Sequence, residues 1–227
     1  MNRHLPTFSD AEEHVKISHF TKKGYDISGI VHVGTNDWYE LQFYLQMGIE
    51  YCVGFEPLSF AVENFNRKYW EILHRKYNNV KLFPYAIGLE DKKAIINVAS
   101  GDGQSSTFLE LHPDYLNKFL NQKPIGTQNT EIRTFDTFLY QNRDITLDHY
   151  NCLVVDVEGM ELDVLKSIGE HIKYFDFLNI ECSGKPSYIN GPLADMVVAY
   201  LDQQGFSQDT PIEDHNDIMF IKKGKST

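Results

Sequence analysis

The sequence Gly29-Ile-Val-His-Val-Gly-Thr-Asn36 is the most informative stretch for the fold class of this 227-residue chain. Its first five residues form a short apolar run rich in β-branched side chains, which is typical of a buried strand, and Gly34 ends that run. Leu41, Tyr44 and Leu45 then recur at three- and four-residue steps, which predicts a helix. The stretch therefore predicts a strand, a glycine turn and a helix in succession.

The same alternation continues along the chain. It predicts further strands at 51–55, 80–83, 94–98, 152–156, 177–181 and 218–221, and helices at 59–75, 161–168 and 194–203. Strands that are apolar throughout and alternate with helices indicate a mainly parallel sheet covered on both faces. We therefore expect an α/β doubly wound fold in one domain over 1–227.

Two segments depart from the alternation. Residues 1–28 are predicted as an N-terminal extension with an added helix over about 9–22, capped by Ser9 and packed through Ile17 and Phe20. Residues 101–130 are irregular, with a possible short helix at 114–120. Because long irregular stretches inside a domain often have a function, we expect this one to form a lid over the acceptor site.

Composition excludes several classes of function. The formal net charge is −11, so nucleic acid and anionic membranes are not expected as partners. No apolar run reaches the roughly 18 residues of a membrane helix, and the polar first residues do not resemble a secretory signal. Three cysteines within apolar runs indicate buried reduced thiols, and we expect a cytoplasmic protein.

The ends of the predicted strands point to a nucleoside ligand. In parallel sheets ligands bind beyond the carboxyl ends of the strands. The turn after the first strand has Gly34 but lacks the further glycines of a dinucleotide fingerprint, so NAD or FAD fits poorly. Glu56 ends the second strand 22 positions later, where a carboxylate can accept hydrogen bonds from ribose hydroxyls. A nucleoside without phosphates suggests S-adenosylmethionine.

Four blocks in order support this interpretation: Val31-His-Val-Gly-Thr-Asn, Val53-Gly-Phe-Glu-Pro57, Tyr85-Ala-Ile-Gly88 and Val155-Asp-Val-Glu-Gly-Met-Glu-Leu-Asp-Val-Leu165. On these blocks the chain resembles the FkbM-type methyltransferases, a branch of the class I S-adenosylmethionine-dependent enzymes. The resemblance implies their Rossmann-like, seven-stranded fold. One departure is Trp38, which stands where the family usually has glycine and can close over the cofactor or pack against the lid.

The resemblance also implies roles for individual residues. Glu56 would hold the ribose, and Asp156 and Glu158 would lie between cofactor and acceptor. Glu40 can reach the pocket or remain an exposed helix charge. The remaining positions expected to contact the cofactor are Gly34, Thr35, Asn36, Pro57, Ala86, Ser105 and Ser106.

The expected reaction needs a group that removes a proton, and acidic residues are candidates for it. A hydroxyl acceptor must lose a proton as its oxygen attacks the methyl carbon. Asp156, Glu158 and Glu181 follow neighbouring strands and can act as a base or as oxygen ligands of Mg²⁺, an ion that the sequence does not require. Glu161 is interpreted as a charge in the first turn of a helix, and His32 as a hydrogen-bonded buried residue.

The expected function is O-methylation of a sugar, glycan or natural-product hydroxyl, an acceptor class that comes from the resemblance. Two alternatives stay open. The acceptor can be a nitrogen atom or a small metabolite, or the chain can be an inactive cofactor-binding module whose turn is filled by Trp38. The expected partner is the small-molecule or glycan acceptor, and the oligomeric state is not predicted.

Overall fold

The computed structural model describes residues 16–114, 124–213 and 216–227. Its main sheet has seven strands in the order β3-β2-β1-β7-β8-β10-β9. These strands are β1 (Gly29–Val33), β2 (Tyr51–Phe55), β3 (Val80–Phe83), β7 (Cys152–Val155), β8 (Phe177–Cys182), β9 (Phe206–Gln208) and β10 (Asn216–Lys222). The first five in spatial order are parallel, and β10 is antiparallel to both of its neighbours. The predicted α/β fold with a mainly parallel sheet is confirmed.

Helices cover both faces of this sheet. They are α1 (Ser18–Lys22), α2 (Leu41–Gln46), α3 (Ser59–Lys76), α4 (Phe135–Gln141), α5 (Glu161–Ile168) and α6 (Ala194–Gln203), with 3₁₀ turns at Leu147–His149 and Gly169–Tyr174. Alternate strand residues explain the two layers, because successive side chains point to opposite faces. Val31 and Val33 pack into the core beneath α4, α5 and α6, whereas Ile30 packs into the core beneath α1, α2 and α3.

A second, three-stranded sheet corrects two expectations. It has the order β4-β6-β5, where the strands are β4 (Ala86–Ile87), β5 (Lys92–Ala99) and β6 (Pro124–Arg133). The strand predicted at 94–98 therefore exists but lies outside the main sheet. Residues 124–130, expected to be irregular, form most of β6 and pair with β5 in antiparallel register. Nine of the ten β6 residues are exposed or only partly buried, and most of these are polar, so no apolar pattern marked the strand.

The N-terminal extension is described only from residue 16. Helix α1 is five residues long, and Ile17 and Phe20 are fully buried, as expected of a packed extension. Phe20 contacts Phe177 of β8, with ring centroids 5.1 Å apart. The proposed cap at Ser9 and most of the helix at 114–120 lie outside the described residues.

Two further observations concern composition. All three cysteines are free and buried. Within residues 16–114, 124–213 and 216–227, every helix is too short or too polar to cross a lipid bilayer.

Candidate active site

A cavity of about 320 Å³ lies at the carboxyl ends of β1, β2, β7 and β8. This volume is at the lower end of the range for small-molecule sites. The structure brings together every residue predicted for the site. Its lining includes Gly34, Thr35, Asn36, Glu40, Glu56, Pro57, Ala86, Ser105, Ser106, Asp156, Glu158 and Glu181.

We call residues 34–36 together with Glu56 the amide turn, because backbone N–H groups hold it together. The N–H groups of Gly34 and Thr35 both donate to the carbonyl oxygen of Phe55, at 3.0 and 3.2 Å. Gly34 has φ +86°, and a Cβ atom there would lie 1.6 Å from the carbonyl oxygen of Asp156. The glycine is therefore required by the close approach of β1 and β7, a reason different from the ligand access that the sequence suggested.

Glu56 is almost fully buried, which excludes an exposed side chain before a proline. Its two carboxylate oxygens accept hydrogen bonds from the N–H groups of Asn36 and Leu58, each at 2.7 Å. Burial raises the pKa of Glu56 to about 7, although these hydrogen bonds act in the opposite direction. A carboxylate has about four acceptor sites, so two remain for a ligand in the cavity.

The turn at 101–105 closes over the amide turn. The side-chain amide of Asn36 donates to the carbonyl oxygen of Asp102 at 3.0 Å. Ser106 accepts a hydrogen bond from the N–H of Ala99 at 3.0 Å, which ties the segment to β5. Ser105 is buried and lines the cavity together with Ser106. The first part of the expected lid thus borders the site, while residues 115–123 lie outside the described part of the chain.

Trp38 does not fill the cavity. Its side chain is fully buried on the opposite side of the turn, where it packs against Phe65 with ring centroids 5.6 Å apart. A Cβ atom on Gly54 would lie 2.8 Å from the indole ring, so a glycine on β2 makes room for it. Both expected positions for the indole, over the cofactor or against the lid, are wrong. The indole ring therefore does not block the turn sterically.

The carboxylate cluster consists of Asp156, Glu158 and Glu181. Each offers a carboxylate oxygen, and the three oxygens lie within 4.8 Å of one another. Lys16, which precedes α1, places its Nζ 2.6 Å from Oδ2 of Asp156 and 3.2 Å from Oδ1 of Asp217. The cluster thus has a nearby ammonium group as a source of positive charge.

The surroundings shift the pKa values of the three carboxyl groups in different directions. Burial by itself would raise the pKa of Asp156, but the Lys16 ammonium and a hydrogen bond from Glu181 lower it to about 2. Burial and the neighbouring Asp156 raise the pKa of Glu181 to about 11 and that of Glu158 to about 8. Such divergence is typical of residues that share a low-dielectric site. At neutral pH Asp156 is the ionised member of the cluster.

Glu158 has an unusual backbone conformation and is held by two hydrogen bonds. This residue has φ +54°, an unusual value for a residue with a side chain, and its carbonyl oxygen accepts from the Thr107 hydroxyl at 2.6 Å. The Tyr188 hydroxyl donates to its carboxylate. Gly159 follows with φ +101°, and a Cβ atom there would lie 2.7 Å from the Tyr188 ring. The turn after β7 is therefore shaped to keep the Glu158 carboxylate at the cavity.

The structure settles three open points. Glu40 lines the cavity and is not a free surface charge; burial raises its pKa. Glu161 accepts a hydrogen bond from the N–H of Gly159 at 2.8 Å, which supports the helix-start interpretation. His32 is buried, and its Nδ1 lies 3.4 Å from the Tyr44 hydroxyl, while Nε2 has no partner among the described residues.

Sequence reasoning missed Lys16 as a neighbour of the site and Tyr188 as the partner of Glu158. It also missed the apolar wall formed by Ile87, Ile96 and Ile132. Ile132 follows from the pairing of β6 with β4, which places it opposite Ala86. No local signal marks Lys16, because it lies 140 positions from Asp156 in a polar segment.

Comparisons with known proteins agree with this architecture. A family model described as the methyltransferase FkbM domain matches residues 29–207. A comparison with curated proteins gave no match. Among solved structures, the chain is similar to the methyltransferase FkbM of Methylobacillus flagellatus KT, with TM-score 0.55 and 13% identity. The match covers 92% of this chain and 48% of that one, so the chain spans about half the length of this relative.

Two other solved structures are similar at TM-score 0.48. One is M. capricolum TrmK in complex with S-adenosyl-homocysteine, at 8% identity, covering 98% of this chain and 70% of that one. The other is magnesium protoporphyrin IX methyltransferase from Synechocystis PCC 6803 with bound SAM, at 10% identity, covering 98% and 87%.

Proposed function

Because the chain belongs to the FkbM family of S-adenosylmethionine-dependent methyltransferases, we propose that it methylates a hydroxyl oxygen of a sugar, glycan or natural-product acceptor. The observation that carries the proposal is a single cavity lined by both the amide turn and the carboxylate cluster. The first suits a nucleoside, and the second suits a reacting hydroxyl.

The cavity fits the methyl donor part by part. Glu56 retains acceptor sites that can take the ribose hydroxyls. Ala86, Ile87 and Ile132 form an apolar wall suited to the adenine ring. Asn36 and Glu40 line the same cavity and can bind the polar methionine end. When bound, S-adenosylmethionine supplies a methyl group activated by a sulfonium.

In the proposed reaction the acceptor oxygen forms a bond to the methyl carbon, and the carbon–sulfur bond breaks with its electron pair moving to sulfur. The hydroxyl proton passes to a carboxylate. Glu158, whose pKa burial and Asp156 raise to about 8, is the stronger base, but it accepts the proton only in the fraction of molecules in which it is ionised, a fraction that grows as the pH approaches 8. Asp156, with a pKa of about 2, is ionised throughout but is a weaker base. Asp156 and Glu181 would then orient the acceptor by hydrogen bonding.

Charge and aromatic exposure support an uncharged, hydroxyl-rich acceptor. The net charge of −11 on the chain disfavours phosphorylated or otherwise anionic acceptors. Tyr39 lines the cavity and is 50% exposed, so its ring can stack on a sugar. A cationic amine would also be attracted, which keeps nitrogen methylation as the alternative. The inactive-module alternative is weakened because Trp38 packs away from the cavity.

The test has two steps. Calorimetric titration with S-adenosylhomocysteine, with and without Mg²⁺, measures cofactor binding. Transfer of a radiolabelled methyl group from S-adenosylmethionine is then measured with neutral sugars, amino sugars and sugar phosphates as acceptors. We expect micromolar binding that does not depend on Mg²⁺, and transfer to neutral sugars.

The contrary outcomes differ in meaning. Absence of S-adenosylhomocysteine binding contradicts the enzyme proposal as a whole. Transfer to amino sugars alone, with the label on nitrogen, replaces the oxygen acceptor by the alternative. Transfer that requires Mg²⁺ contradicts the assignment of proton removal to the side chains alone.

A further inference from the structure

Lys16 belongs to a short segment that is fastened to the sheet at both ends. We call residues 16–23 the anchored segment. Its carbonyl oxygen at Lys16 accepts from the side-chain amide of Asn179 at 2.6 Å, and Ile17 is fully buried. At its other end, His19 and Lys23 both contact the carboxylate of Asp209, which follows β9. These contacts fix the position of Lys16 relative to the sheet.

Lys16 lies beside the carboxylate cluster. The Lys16 side chain is only 15% exposed, and its Nζ contacts Asp156 at a shorter distance than Asp217. Burial by itself would lower the pKa of Lys16, but the two aspartates outweigh this effect, so its pKa is raised and it stays charged. A buried carboxylate without such a partner would be costly to ionise.

We propose that Lys16 is a positioning residue of the active site: its ammonium group holds the Asp156 carboxylate ionised and in place at the cavity wall. This inference rests on the proposed function, since it concerns the same cavity. It also extends the functional unit beyond the family match at residues 29–207, because Lys16 precedes that range. The positive charge that offsets the negative charge of Asp156 is thereby supplied by a side chain of this protein.

Several other charged or titratable groups interact with Asp156 or with Lys16, and they are the same in the wild type and in both Lys16 variants considered below. They are Asp217, Glu181, His32, Glu158, Glu161, Glu56 and Glu40. A ratio of affinities between variant and wild type therefore isolates the contribution of Lys16.

The experiment measures the affinity for S-adenosylmethionine from pH 5 to pH 8, in EDTA, for the full chain. Lys16→Met removes the charge, Lys16→Arg keeps it, and Asp217→Asn removes the second contact while leaving the Asp156 contact intact. Without the ammonium, burial raises the pKa of Asp156, so this carboxylate takes up a proton as the pH falls. The protonated group attracts the sulfonium less, and one linked proton changes affinity by up to about tenfold per pH unit.

We expect the ratio of dissociation constants, Lys16→Met over wild type, to rise by about tenfold between pH 8 and pH 5. Lys16→Arg and Asp217→Asn should stay within about threefold of wild type throughout. A ratio that is constant with pH overturns the proposal and leaves Lys16 a structural tether. Equal behaviour of Lys16→Arg and Lys16→Met also overturns it.

A second measurement covers the possibility that Lys16→Met does not fold, which binding stoichiometry reveals. In the wild type, the carboxyl carbon of Asp156 is followed by NMR and assigned with Asp156→Asn. A chemical shift that stays at the value of an ionised carboxylate from pH 8 to pH 4 supports the proposal. A titration within that range, or a shift typical of a protonated carboxyl group, overturns it. If the wild type binds no S-adenosylmethionine, the proposed function fails, while the NMR result still decides the role of Lys16.

Discussion

The amide turn and the carboxylate cluster hold their buried carboxyl groups in different ways. Glu56 is held by two backbone N–H groups from the loops that follow β1 and β2. Asp156 is held by the ammonium of Lys16, which comes from a segment 140 positions earlier in the chain. The first arrangement follows from the path of the backbone beside the strands. The second requires a distant segment to dock before the charge is balanced.

The two regions therefore tolerate different kinds of substitution. At the amide turn, backbone geometry and hydrogen bonding dominate, so small changes of shape have large effects. At the carboxylate cluster, charge and protonation dominate, so changes that preserve shape but alter charge are informative. The following variants separate the two regions.

Gly34→Ala should disturb both regions, because the added Cβ would lie 1.6 Å from the Asp156 carbonyl oxygen. This clash is relieved only if β1 and β7 move apart. The φ of +86° adds strain, because residues with a side chain rarely adopt it. We expect a loss of at least about 4 kcal/mol in the free energy of unfolding, measured with urea. Gly48→Ala is the matched control, since φ is +82° but no atom lies within 4 Å of its Cβ position. It should lose only about 1 kcal/mol; equal losses would contradict the close-approach explanation.

Glu56→Ala should affect the amide turn alone. It removes the acceptor of two N–H groups and the proposed partner of the ribose. We expect the affinity for S-adenosylhomocysteine to fall about a hundredfold, as loss of hydrogen bonds to a charged group implies. Glu63→Ala, an exposed change on α3, should leave the affinity unchanged. An unaltered affinity in Glu56→Ala would remove this residue from the cofactor site.

Glu161→Gln probes protonation beside the carboxylate cluster. Burial raises the pKa of Glu161 from 4.5 to about 7, so between these values the folded state binds more protons than the unfolded state. Stability contributed by this group is therefore present below about pH 4.5 and is lost as the pH rises towards 7. Glutamine keeps an acceptor for the Gly159 N–H and does not titrate.

The slope of unfolding free energy against pH between 5 and 7 should accordingly become less negative, by up to about 1.4 kcal/mol per pH unit. Urea unfolding at several pH values measures this slope. Glu170→Gln, an exposed change near the same helix, serves as control and should keep the wild-type slope. If both variants behave alike, burial of Glu161 is not the cause.

Asn36→Gly tests the edge of the amide turn. It removes the side-chain bond to Asp102 but keeps the N–H that Glu56 accepts, and glycine adopts φ +48° without strain. One neutral hydrogen bond is worth about 1 kcal/mol, so S-adenosylhomocysteine should bind about fivefold more weakly. Calorimetric titration measures this affinity. A loss as large as that of Glu56→Ala would show that the side chain does more than fasten the turn at 101–105.

The sequence was sufficient for six of the seven strands of the main sheet because these strands carry a strong local signal, whereas the three-residue strand β9 was not predicted. The apolar runs at Gly29–Val33, Tyr51–Phe55 and Val80–Phe83 coincide with β1, β2 and β3. Strand β6 escaped prediction since it has a polar, largely exposed sequence that depends on pairing with β5. A periodic pattern of apolar residues arises where one face of an element is buried. Because only Ile132 of β6 is buried, its sequence contains no such pattern.

For the site, the rule that ligands bind at the carboxyl ends of parallel strands found Glu56, Asp156 and Glu181. It could not find Lys16 or the orientation of Trp38. The first depends on a contact between distant parts of the chain, and the second on positive φ angles at Asn36 and Trp38 that turn the indole away from the cavity. Neither leaves a pattern in the neighbouring residues.

The antiparallel insertion of β10 between β8 and β9 has a practical consequence for fragments of this chain. The family match ends at residue 207, before β10 begins at Asn216. A fragment cut at that boundary would leave the backbone N–H and C=O groups of β8 unpaired along one side. Exposed strand edges of this kind pair readily with other molecules, which leads to aggregation. The boundary that defines the family is therefore narrower than the unit suited to expression and crystallisation.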